Sequence, residues 1–265
     1  MKKFLDYKEI KISYLIEGEG ETLVFLHGYL EAKEIWKDFS RRFSSSYKVI
    51  CIDLPGHGES GVLGDIHEMD EMASATAAVL QNENIDFCVL FGHSMGGYAV
   101  MSFVENYPES LKGYCLFHST CFADNEEKKD MRDREMALLM CGKKNQIIHT
   151  NIPKGFADSN LDSMDEEVQR VKKIAMASSD AGTIALLRGM KERKDHSAAL
   201  SKPTPPALLI WGKRDNYIPE EVFNKLVAIA PHASIIVLQN SGHMGFIEEA
   251  DCVYSGILNF LDYLK

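Results

Sequence analysis

Gly92-His93-Ser94-Met95-Gly96-Gly97 follows directly on the apolar run Phe87-Cys88-Val89-Leu90-Phe91. A serine set between glycines, entered from a strand and left through a helix, fits few folds. The turn is so sharp that the serine backbone is strained. A β-carbon at position 92 or 96 would collide with the neighbouring strand or helix. The Ser94 hydroxyl then stands clear at the end of a sheet, beside the positive end of a helix dipole.

The rest of the chain supplies the sheet that such a turn needs. Apolar runs at Lys11–Ile16, Thr22–Leu26, Lys48–Ile52, Phe87–Phe91, Gly113–Phe117, Ala207–Trp211 and Ser234–Leu238 read as strands. The middle ones are nearly continuous in apolar residues, as strands covered on both faces are. Helical patterns at Lys33–Phe43, Met69–Glu83, Ser94–Asn106, Glu220–Ala230 and Glu248–Leu264 fall between them. Alternation of this kind predicts an α/β fold with a doubly wound, mostly parallel sheet. The first strands follow one another without a helix and are expected to pair antiparallel.

From 119 to 201 no strand is visible. The period there is helical, over Asn125–Lys144, Met164–Ala177 and Gly182–Lys194, and methionine is frequent. Pro203, Pro205 and Pro206 then mark the return to the sheet. The reading is a helical cap, 119–201, inserted into a core of 1–118 and 202–265.

The net charge of -10 argues against nucleic acid and anionic membranes as partners. Lys2 and Lys3 precede no apolar stretch, so no secretory signal is expected, and no window reaches the roughly 20 apolar residues of a membrane span. Cysteines 51, 88, 115, 121, 141 and 252 form no short-spaced pair. They read as small hydrophobes in a reducing cytoplasm, and no metal site is expected.

A serine hydroxyl is a poor nucleophile until a base takes its proton and an acid orients the base. Two strand-end loops offer these groups. Ala207–Trp211 runs into Gly212-Lys213-Arg214-Asp215, and the strand ending at Leu238 runs into Gln239-Asn240-Ser241-Gly242-His243. In an open α/β sheet, sites form at the carboxyl ends of strands.

Five segments together carry a resemblance: His27-Gly28, Asp53-Leu54-Pro55-Gly56-His57-Gly58-Glu59-Ser60, the Ser94 turn, Trp211–Asp215 and Ser241-Gly242-His243. In this order the chain resembles an α/β-hydrolase nearly end to end. The resemblance implies Ser94 as nucleophile, His243 as general base and then acid, and Asp215 as the orienting carboxylate. It implies backbone N–H groups of Tyr29 and Met95 as an oxyanion hole. Tyr29 and His93 are candidate substrate contacts. Some relatives take the acid from the preceding strand's loop, which makes Asp124 the rival to Asp215; a helix N-cap accounts for Asp124 better. Asp53, His27, His57 and His118 are assigned supporting roles.

A serine at the turn disfavours epoxide and halide chemistry, which relatives carry out with aspartate there. Met131, Met136, Leu138, Leu139, Met140, Ile147 and Ile148 suggest an apolar cap lining for a small or medium acyl group. The expected activity is a cytoplasmic, carboxylesterase-like serine hydrolase acting on a small-molecule ester, thioester or lactone, without cofactor, as a monomer or homodimer. Two alternatives stand beside it. One is a carbon–carbon bond hydrolase or lyase like the menaquinone-pathway synthase, against which Tyr98 counts because that enzyme has arginine there. The other is a non-catalytic ligand receptor.

Overall fold

A computed structural model describes residues 1–265 of the chain. Eight strands form one sheet: β1 Lys2–Tyr7, β2 Ile10–Glu17, β3 Thr22–Leu26, β4 Lys48–Ile52, β5 Cys88–His93, β6 Leu111–Phe117, β7 Ala207–Gly212 and β8 Ser234–Leu238. Their order is β1-β2-β4-β3-β5-β6-β7-β8. β2 pairs antiparallel with β1 and β4, and every other neighbouring pair is parallel. Every residue of β3 and β5 is buried, the signature of central strands covered on both faces. β1 has no counterpart in the apolar pattern. It is an edge strand in which exposed Lys2, Phe4 and Asp6 alternate with half-buried Lys3, Leu5 and Tyr7, and such strands carry charge that hides their period.

The helices are α1 Lys37–Ser40, α2 Met69–Asn82, α3 Met95–Asn106, α4 Glu126–Met140, α5 Lys144–Lys154, α6 Asp165–Met176, α7 Asp180–Lys191, α8 Ser197–Leu200, α9 Glu220–Ile229, α10 Gly245–Glu248 and α11 Ala250–Tyr263. The expected helix over Lys33–Phe43 is a chain of short turns, two of them 3₁₀ around α1. The pattern over Asn125–Lys144 stops earlier, at Met140. Asn125 caps α4 by accepting Lys128 N–H at 2.9 Å, and Gly142, at φ +71°, turns the chain into α5.

Packing follows the apolar stripes. α2 packs on α3, and α3 on β5 and β6. Phe25 and Phe91, cross-strand partners on β3 and β5, stack with ring centroids 4.8 Å apart. Trp36 covers Phe25 at 5.2 Å and meets Phe246 at 4.4 Å, so the 33–43 turns and the residues before α11 share one aromatic core. Lys33 is wholly buried, with its Nζ 2.6 Å from Asp53, and Asp53 also accepts the Lys33 and Glu59 amides at 2.7 and 2.9 Å. Asp53 is therefore a structural carboxylate that shapes the 53–60 loop.

Between β6 and β7 the chain is helical and irregular, holding α4–α8 and no strand. α7 reaches the core through backbone. A β-carbon at Gly182 would strike the Gly56 carbonyl, and one at Gly189 the His67 carbonyl. The Gly189→Val variant is expected to lose about 1–3 kcal/mol of stability by overpacking, read as a lower urea midpoint. An unchanged midpoint would show that α7 docks by some other contact.

Candidate active site

β5 delivers Ser94 at φ 49° and ψ −113°, a region that costs a non-glycine residue about 1–3 kcal/mol. Neighbouring elements hold it there. Ser94 N–H donates to the Phe117 carbonyl at 2.9 Å, and the Ser94 carbonyl accepts Gly97 N–H at 3.0 Å and the Ser119 hydroxyl at 2.6 Å. A β-carbon at Gly92 would run into the Gly96 carbonyl, and one at Gly96 would lie 2.6 Å from the Leu26 carbonyl oxygen. The glycines are thus required by close approach.

Parallel pairing brings the ends of β6, β7 and β8 beside this turn. His243 Nδ1 lies 2.9 and 3.0 Å from the two Asp215 oxygens. A carboxylate accepts, so Nδ1 carries the proton and Nε2 is the basic nitrogen. Tyr217 and Ile218 N–H donate to Asp215 Oδ1 at 2.8 and 3.0 Å. The His243 loop is itself tied down. His243 N–H donates to the Gly155 carbonyl at 2.7 Å, and Glu248 accepts Gly242 N–H at 2.9 Å and Met244 N–H at 3.2 Å.

Asp215 has a second imidazole. His118 Nδ1 donates to Asp215 Oδ2 at 3.0 Å, and His118 Nε2 accepts Gly245 N–H at 3.2 Å, which fixes a neutral ring. Burial would push the Asp215 carboxyl up, but His243 and His118 outweigh it and hold the group far below the usual carboxylate range. Burial pushes His118 down to about 4. No local pattern in the sequence signals this bond of His118 to Asp215. The signal available was its position at the end of β6, the strand adjacent to β7.

Asp124, the rival acid, lies elsewhere. It is buried between Arg193 at 2.6 Å and Arg132 at 3.2 Å, and Arg193 stacks over the Tyr98 ring at 3.9 Å. The expected substrate contact at His93 is corrected: the ring is 1% exposed, with Nδ1 on Glu31 and Nε2 on the His243 carbonyl, so neither nitrogen is free. Tyr29 N–H makes no hydrogen bond within the protein, and Met95 N–H opens α3, where no intrahelical acceptor exists. The buried Tyr29 hydroxyl lies beside Glu135, whose carboxyl burial pushes up. The apolar lining is also corrected in part. Met131 and Met140 are 54% and 63% exposed on the outer side of α4, whereas Leu139, Ile147 and Ile148 are buried.

Two clusters have the donor types of a metal site, His118–Asp215–His243 and Glu34–Asp53–Glu59. Hydrogen bonds knit the first, and the Lys33 ammonium fills the second. Cys51, Cys88, Cys115 and Cys121 are buried, while Cys141 and Cys252 are exposed. No helix is long and apolar enough to cross a membrane.

The family model for the alpha/beta hydrolase fold matches residues 21–250. The chain belongs to the α/β-hydrolase fold family. A 2-hydroxy-6-oxononadienedioate/2-hydroxy-6-oxononatrienedioate hydrolase from Burkholderia vietnamiensis is 28% identical over 97% of this chain and 92% of its own length. A dihydrolipoyllysine-residue acetyltransferase component of an acetoin cleaving system from Pseudomonas putida is 28% identical over 92% of this chain, and the chain spans 64% of that relative's length. The structure of a thermophilic esterase from Thermogutta terrifontis superposes with a TM-score of 0.94 at 24% identity, covering 100% of this chain and 99% of that one, a likeness of fold.

Asp215→Asn is expected to lower ester turnover by about 10³–10⁴-fold, because an amide misorients the imidazole, with the fold retained. Asp124→Asn should instead cost stability, since it removes the charge that pairs buried Arg193 and half-buried Arg132. The reverse ranking in turnover assays would transfer the acid's role to Asp124. The buried histidines predict acid lability. An unfolded histidine titrates at about 6.5, so the stability that neutral His118 provides is complete above that pH and is lost as pH falls toward about 4. Burial lowers His27 and His57 in the same direction. Urea unfolding should show stability dropping below pH 6.5 by roughly 1.4 kcal/mol per pH unit for each such histidine, and a flat profile would contradict their neutral burial.

Proposed function

We propose that this hydrolase-family protein is a carboxylesterase-like serine hydrolase that cleaves a small-molecule ester, thioester or lactone through an acyl-enzyme on Ser94. The observation that carries the reading is the strained Ser94 turn, whose neighbour His93 lies 2.9 Å from the carbonyl of His243, the residue hydrogen-bonded to Asp215. Ser94 Oγ attacks the acyl carbon as its proton passes to His243 Nε2. Asp215 stabilises the imidazolium without taking the proton. The charge that develops on the acyl oxygen meets the free N–H groups of Tyr29 and Met95, where losing one donor costs about 3–4 kcal/mol. His243 then protonates the leaving group, and a water molecule, deprotonated by the same nitrogen, releases the acid and restores Ser94.

A second reading is carbon–carbon bond hydrolysis of a carboxylate-bearing substrate. It is favoured by Arg132, which bonds Asp124 through Nε and stands beside Tyr98 and Tyr29, and by the dienedioate in the Burkholderia relative's name.

Ser94→Ala should abolish turnover of p-nitrophenyl acetate and butyrate while the protein stays folded, and a fluorophosphonate should label Ser94 in the wild type. Wild-type activity in Ser94→Ala, or an adduct mapped to another residue, refutes the mechanism. Esters with short chains should be hydrolysed faster than long ones. If a 2-hydroxy-6-oxodienedioate outpaces every ester, the second reading prevails, and inertness toward all of them together with absent labelling would indicate a receptor.

A further inference from the structure

Three segments of the site meet at a buried pair that the proposed reaction does not use. Glu31 and His93 are 4% and 1% exposed. Glu31 Oε2 accepts Gly28 N–H at 2.6 Å and faces His93 Nδ1 at 3.0 Å. Across the ring, His93 Nε2 lies 2.9 Å from the His243 carbonyl oxygen. A carbonyl oxygen only accepts, so Nε2 carries a proton. Oε2 already accepts from Gly28, and its line to Nδ1 needs a proton as well. With that proton on nitrogen, the pair is an imidazolium beside a carboxylate. Trp36, Phe117 and Phe246 surround the ring at centroid distances of 6.2, 6.3 and 5.1 Å, so little water screens the contact.

Burial disfavours charge on both groups, but their attraction outweighs it, raising His93 and lowering Glu31. The other ionisable groups at the pair are His27 on the Glu31 side and Asp215, His118 and His243 on the His93 side.

We propose that the Glu31–His93 ion pair is a positioning device that locks the 27–31 loop, the serine turn and the histidine loop into one rigid unit. This rests on the serine-hydrolase reading. Gly28 shares its peptide link with Tyr29, so anchoring the Gly28 amide aims the next N–H. His93 immediately precedes Ser94, and the His243 carbonyl belongs to the residue that supplies the base. A buried ion pair is a weak source of stability because desolvation offsets its attraction, but broken on one side it leaves a charge unpaired. Its yield is therefore geometry. Glu31 and His93 are positioning residues, since both ring nitrogens of His93 and Oε2 of Glu31 are taken by partners within the protein.

Glu31→Gln tests this with almost no change in size. An amide oxygen can accept from Gly28 N–H but lacks the charge that keeps Nδ1 protonated, and a bare Nδ1 facing that oxygen makes no bond. The expected result is a kcat lower by about 10- to 100-fold with p-nitrophenyl butyrate, since small misplacement of reacting groups costs on that order. KM should hold, and affinity for a boronic acid, which mimics the tetrahedral intermediate, should fall in proportion to kcat. A folded Glu31→Gln with wild-type kcat, or with lowered kcat but full boronic acid affinity, overturns the proposal. A measurement that needs no variant is the ¹⁵N spectrum of His93 in the wild type near pH 7, where both ring nitrogens should be protonated. A neutral ring overturns the ion pair. If wild-type Ser94 neither turns over esters nor accepts the fluorophosphonate, the serine reading fails and the positioning role falls with it, an outcome visible before any Glu31 variant is made.

Discussion

The parallel pairing of β5 between β3 and β6 is the constraint on which everything else rests. Parallel strands need long crossovers, and crossovers place helices over the sheet, so β5 must be apolar on both faces. The same pairing sets all parallel strand ends on one edge. Ser94, His118, Asp215 and His243 come together because each follows, or ends, a strand of this ladder. The site is a consequence of strand direction before it is a matter of side chains.

Charge in the site is organised around two buried carboxylates, each met by imidazole. Asp215 receives two rings and two amides and is thereby kept ionised. Glu31 receives one ring and one amide. The two systems touch, because His93 holds the carbonyl of the same His243 whose ring bonds Asp215. In so dry a region an unpaired polar group is costly, so the partners restrict one another to a single arrangement. The strain at Ser94 persists for the same reason: the Phe117, Gly97 and Ser119 bonds over-determine that turn.

Local pattern explains which elements could be read directly. β3, β4 and β7 are continuous apolar runs with β-branched residues and aromatics, and they were legible almost to the residue. β1 was not, because Lys2-Lys3-Phe4-Leu5-Asp6-Tyr7 shows no alternation of charged and apolar residues, although exposure alternates along the strand. The 33–43 segment has a helical period yet folds as short turns, since its job is to place Trp36 and Lys33 against fixed partners in the core. Met131 and Met140 misled in the other direction. Apolar side chains on a helix do not by themselves say which face looks inward when that helix is mostly charged.

The sequence by itself determined seven of the eight strands, the serine turn and the identity of the loops that carry Asp215 and His243, because glycine spacing and apolar runs act over a few residues. Only the tertiary structure decided which carboxylate meets His243, that His118 shares it, and that His93 faces Glu31 and a backbone carbonyl. Those contacts join residues 28, 62, 97 and 150 positions apart. No local preference encodes such pairs. They are settled by strand order and by the cost of leaving a buried donor or acceptor without a partner.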